Sequence, residues 1–199
     1  MQVRITSGFG SVEDTQQPFS PALICDDDIA KHFTLDCYQA RTQKDIYFDD
    51  PHVEFVNLAQ THRAVIFSAN LNYSGSGWTW LWSLLVLDSK GTWQNMFPEI
   101  TSSNQSEHLF WHSPALSPYG MFSVVDFIWA DDETHFAPHR YEIKSFEYCA
   151  GSSKYVLADD FVTKTKFPGL DDVDELNVIR PELPEIERHL RLKSTGACS

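Results

Sequence analysis

Residues 63–93 read RAVIFSANLNYSGSGWTWLWSLLVLDSKGTW, a β-branched, aromatic and aliphatic stretch that carries four tryptophans and breaks only at turn residues. The breaks, Ser74-Gly75-Ser76-Gly77 and Asp88-Ser89-Lys90-Gly91, separate segments suited to a pleated sheet, so the pattern predicts an antiparallel meander. Trp78, Trp80 and Trp82 share parity and line one face of a strand, with Thr79, Leu81 and Ser83 on the other. Such a row is either a core layer or an exposed platform on which sugars or peptide side chains stack. The segment has no polar face, which favours the core and leaves the loop from Tyr73 and Ser74 to Gly77 as the contact surface beside it.

Strand patterns continue on both sides, at 45–48, 53–59, 63–73, 78–88, 92–97, 108–112, 119–130, 139–149 and 153–162. Spacings of about ten to fifteen residues with turn chemistry between them indicate hairpins rather than βαβ units. Residues 2–6 alternate like a first strand, Asp26, Asp27 and Asp28 are placed to start a short helix, and 34–40 reads as a strand. After Pro181, ELPEIERHLRLK sets Ile186, Leu190 and Leu183 on one helical stripe, with Pro184 in the first turn, where a missing N–H is no loss. The fold class expected is therefore mainly β, an antiparallel meander closing as a partial propeller, sandwich or barrel, with a short C-terminal helix. A chain of 199 residues fits one domain, here 1–193, with 194–199 as a frayed tail.

Charge narrows the partners. The chain holds 28 acidic and 15 basic residues, a net charge of −13 that repels phosphate backbones and argues against nucleic acid. The same surface speeds encounter with a basic protein. No apolar run reaches the ~20 residues of a membrane span. The first residues, MQVRITSGFG, carry no secretory pattern, which places the protein in the cytoplasm if the chain is full length and in the periplasm if a signal has been removed.

Candidate chemistry is sparse. His108 and His112, like His135 and His139, stand four apart, but on a strand that is about 13 Å, too far for one metal. Pro138 argues against a helix for the second pair. The acidic run at 171–175 lacks the glycine-centred spacing of a calcium loop and reads as a solvated connection or helix start. Asp126 interrupts an apolar strand and must point outward or be paired. Cys25, Cys37, Cys149 and Cys198 are too scattered for a disulfide scaffold or zinc knuckle. Nucleophile elbows, phosphate loops and zinc-helix motifs are absent, so no catalytic residue, metal or cofactor is assigned.

Phe122-Ser123-Val124-Val125-Asp126-Phe127, an aspartate inside an apolar strand, followed by the aromatic hairpin at 141–155, resembles a blade of an incomplete β-propeller. Such FG-GAP-like folds occur in bacterial lysozyme-inhibitor-like and toxin-immunity proteins, and the likeness spans roughly 60–162 without the Asp-x-Asp-x-Asp-Gly calcium loop. With the charge, it implies a non-enzymatic binding protein, an acidic inhibitor or immunity protein that occludes a basic toxin or enzyme. Loops 73–77, 102–107 and 131–138 would make the contact, through Tyr73, Ser74, Asp131, Asp132 and Glu133. The alternatives are a carbohydrate-binding module using the Trp78, Trp80 and Trp82 row, and a metal-dependent enzyme using the four histidines. The oligomeric state is not encoded in any of these features.

Overall fold

A computed structural model describes residues 46–59, 62–73, 78–87, 93–98, 100–103, 106–128, 130, 133–134, 137–168 and 176–193. The strand at 2–6, the helix after Asp26, the strand at 34–40 and the tail lie outside these residues. The chain is mainly β, with two open antiparallel sheets and one C-terminal helix, and neither sheet closes into a barrel. Two compact units emerge, residues 1–55 with 64–101, and residues 56–63 with 102–199.

The first sheet contains β1 (Ile46–Ala59), β2 (His62–Tyr73), β3 (Trp78–Leu87) and β4 (Trp93–Asn95) in that order, with β5 (Ile100–Ser103) also paired to β3. Two expected strands, 45–48 and 53–59, are one continuous strand through Pro51. Proline is tolerated there because β1 is the sheet's edge, where a missing N–H need not break a ladder. Asn72 faces Trp78 and Val65 faces Leu85, the register of the expected meander. Both faces of β3 are buried at its centre, with Leu81 and Ser83 on one side and Trp82, 4% exposed, on the other. Trp80 is half-buried and stacks on Trp82 with ring centroids 5.8 Å apart. The tryptophan row is thus core at Trp82. β4 ends at Asn95, whose side-chain oxygen accepts the Leu84 and Phe97 amides at 3.2 and 3.1 Å and turns the chain away.

The second sheet runs β6 (His108–Trp111), β7 (Met121–Phe127), β8 (Tyr141–Cys149) and β9 (Lys154–Val162), each antiparallel to the next. Helix α1 (Ile179–Lys193) covers one face of it. Ile179, Ile186 and Leu190 of α1 join Trp111, Met121, Val125, Tyr141 and Ile143 in a single apolar core. The stripe expected from the sequence is the one buried, but the helix starts earlier than expected, so Pro181 occupies the first turn and Pro184 lies inside it. Under this core, Trp111 Nε1 donates to Ser123 Oγ at 3.0 Å and Ser123 shares a hydrogen bond with Ser145 at 2.9 Å, satisfying buried polar atoms across three strands.

Gly120 leaves room for the Phe110 ring. A Cβ at this position would stand 2.1 Å from Phe110 Cε1. Its backbone is also held, with the N–H donating to the Leu58 carbonyl at 2.8 Å and the carbonyl accepting the Tyr155 hydroxyl at 2.7 Å. Gly120→Ala is expected to destabilise the protein by about 1–3 kcal/mol, the usual cost of overpacking. Most of that loss should disappear when the same change is made in a Phe110→Ala background, as measured by denaturant titration. Additive losses would show that the ring is not the obstacle.

Candidate acidic interface

One end of the second sheet brings together several buried or half-buried polar groups. There β7 finishes at Phe127, β8 begins at Tyr141, β9 finishes at Val162 and α1 begins at Ile179. Beyond the strands the ladder persists as a bridge, with His139 and Phe167 exchanging N–H to carbonyl bonds at 2.8 and 2.7 Å. The His139 ring is fully buried and meets Phe127 edge-on at 4.4 Å. Its Nδ1 lies 2.9 Å from Glu133 Oε2. Glu133 Oε1 also pairs with Lys166 Nζ at 2.5 Å, and the glutamate side chain is only 8% exposed. Lys166, then His139, hold the Glu133 carboxyl below its ordinary range. An ionised carboxylate only accepts, so His139 Nδ1 carries the proton of that bond.

Glu107, just ahead of β6, reaches the same end from another direction. Its Oε2 accepts the amides of Val178 and Ile179 at 2.5 and 3.1 Å, and its backbone carbonyl accepts the Val125 amide at 3.0 Å. It therefore binds two amides at the start of α1, where the helix dipole favours negative charge. Burial nevertheless raises the Glu107 carboxyl above its usual value, outweighing both amide bonds. Burial, with the nearby Glu107 charge, also pushes the Tyr141 hydroxyl up to about 12.

Charge at the rest of the helix is largely matched. Asp159, buried on β9, accepts from His189 Nδ1 at 3.1 Å and pairs with Lys193 Nζ at 2.5 Å. Glu185 holds Arg188 through two bonds of 2.7 and 2.8 Å, which brings its carboxyl down to about 2. Glu187 pairs with Arg191. On the opposite face of the sheet, Lys144 Nζ sits between Asp126 at 3.0 Å and Glu142 at 2.9 Å, so Asp126 is paired across strands rather than simply turned to water.

Residues 102–199 carry 16 acidic and 9 basic side chains. Six of the acids, Asp131, Asp132, Asp171, Asp172, Asp174 and Glu175, stand in two short segments, and the other ten nearly balance the nine bases. Asp131 and Asp132 directly precede Glu133, while the second segment lies between Phe167, bridged to His139, and the amides that Glu107 holds. The residues flanking both segments thus sit at one end of the sheet. Asp131 and Asp132 themselves, with Ser74 and His135, lie outside the described residues, as does the Tyr73 side chain. Glu133, expected to face a partner, is turned inward onto His139 and Lys166. In the sequence Glu107 reads only as part of the loop 102–107, because no local pattern announces a cap 71 residues away.

His108, His112 and His139, the described members of the two histidine pairs, have separate surroundings. His108 is half-buried near Phe122, His112 is exposed beside Phe110, and His139 is engaged with Glu133. Among the described residues no group of three or more His, Cys, Asp or Glu side chains is arranged to hold a metal. Among the same residues no helix is long and apolar enough to cross a membrane. No family model, curated protein or solved structure matches the chain.

The Glu133 contacts have a pH signature. They favour the ionised carboxyl, so its folded pKa is depressed. Their stabilisation is complete above the unfolded value of about 4.3 and is lost as pH falls through the folded one. Glu133→Gln should therefore melt below the parent protein at neutral pH, with the gap narrowing under about pH 4. A gap that stays constant across that range would contradict the pairing.

Proposed function

We propose that this chain is a non-enzymatic binding protein whose acidic end receives a basic protein partner, in the manner of an inhibitor or immunity protein that covers a cationic groove of a toxin or enzyme. The observation that carries this reading is the distribution of charge. The acidic surplus of residues 102–199 is concentrated in two segments whose flanking residues, Glu133, Phe167 and Val178, are tied to one end of the second sheet. Acidic groups elsewhere on the sheet and helix are mostly engaged with lysine, arginine or histidine inside the same unit. Such intramolecular pairs leave little attraction for a partner, whereas a focused patch steers an oppositely charged protein into encounter.

Capture of basic proteins by the immobilised full chain at low and moderate salt, followed by association kinetics with the retained protein, tests this reading. Changing Asp131, Asp132, Asp171, Asp172 and Asp174 to Asn, and Glu175 to Gln, should slow association about tenfold or more and flatten its salt dependence. Neutralising Glu185 and Glu187 in the same way should leave the kinetics near those of the parent. Equal effects from both variants, or none from the first, would remove the acidic end as the docking element.

A further inference from the structure

The outer edge of β9 combines three features that no other described strand of its sheet shares. It is a terminal strand, since the order is β6-β7-β8-β9. It carries two of the exposed large apolar side chains, Leu157 at 48% and Val162 at 47%. Between them stands Asp160, whose side chain is 55% exposed.

Register shows which backbone groups face outward. The Thr163 amide donates to the Tyr141 carbonyl, which makes Tyr141 and Thr163 a bonded pair. Antiparallel ladders alternate bonded and non-bonded pairs, so Ile143 with Phe161 is bonded, while Glu142 with Val162 and Lys144 with Asp160 are not. The N–H and C=O of Asp160 and Val162 therefore point away from β8. The irregularity at Ala158, between Leu157 and Asp159, lets Phe146 face Leu157, which brings Leu157 onto the same sheet face as Asp160 and Val162. The edge presents an apolar, acidic, apolar row beside outward backbone groups.

We infer that this edge accepts an extended basic segment of the partner as an added antiparallel or parallel strand, with a cationic side chain on Asp160 and small apolar ones on Leu157 and Val162. This rests on the reading of the chain as a binder of basic proteins. Charge decides the occupant. Asp160 is more than half exposed and Lys193 stands 4.0 Å from it, so the row offers an acidic seat for a cation between its two apolar side chains. A second copy of this chain, paired edge to edge about Asp160 and Val162, would bring two Asp160 carboxylates into the same or neighbouring rows, an arrangement that opposes self-pairing.

The test uses the full chain and a hexapeptide alternating lysine and valine, with amide hydrogen exchange read by NMR. Peptide binding should slow exchange at Asp160 and Val162 by about tenfold and leave Phe161, already bonded to β8, unchanged. Val162→Pro removes an outward donor without touching the ladder and should abolish the response at an unaltered melting temperature. Should that variant melt early, Asp160→Lys serves instead, and it should lose the lysine peptide while gaining one that alternates glutamate and valine. Protection absent at both amides, or equal in the variants, overturns the inference, as does protection that rises with protein concentration alone. If Val162→Pro and Asp160→Lys still capture the basic partner with the parent's salt dependence, the edge is excluded while the acidic-end reading stands. If the peptide protects the edge although neutralising the acidic segments changes nothing, that reading fails and the edge remains.

Discussion

The Glu107 carboxylate holds the first amides of α1 from 71 residues upstream, joining the approach to β6 to the helix that covers the second sheet. Helix α1 begins where those amides are satisfied, which sets the phase at which Ile179, Ile186 and Leu190 enter the core. Hydrogen bonds to charged groups contribute about 1.5–3 kcal/mol each, against the cost of withdrawing a carboxylate from water. Burial raises the Glu107 carboxyl despite the two amide bonds that lower it.

Around that fixed start, the unit separates two uses of charge. Glu133 with His139 and Lys166, and Asp159 with His189 and Lys193, are carboxylates drawn inward and bridged by one histidine and one lysine each. Both join elements distant in sequence: the first ties the connection after β7 to the one after β9, the second ties β9 to the end of α1. Removing one partner of such a buried group leaves the other uncompensated, which is why these pairs define geometry. The acidic residues at 131–132 and 171–175 supply six of the sixteen acidic side chains of residues 102–199.

Much of this organisation is legible in the sequence where it depends on local pattern. The meander through β2 and β3, the hairpin of β8 and β9, and the buried stripe of α1 follow from alternation and turn chemistry that tertiary contacts do not override. What escapes the sequence depends on distant partners. Pro51 reads as a break, yet an edge strand tolerates it. Pro184 reads as a first-turn residue, yet Glu107 starts the helix at Ile179. Glu133 reads as one of three surface acids, yet Lys166 and His139 draw it inward. The acidic character of the two segments is visible in the sequence, whereas the placing of their flanking residues at one end of the sheet depends on the bridge between His139 and Phe167.

The account turns on Glu107 deciding where α1 begins, and amide hydrogen exchange at Val178 and Ile179 in the parent and Glu107→Ala proteins measures that directly. Loss of the acceptor should accelerate exchange at these two amides by about tenfold or more while the amides of β7 and β8 keep their protection. Unchanged rates at Val178 and Ile179 would show that the helix finds its start without the carboxylate, and would contradict the account.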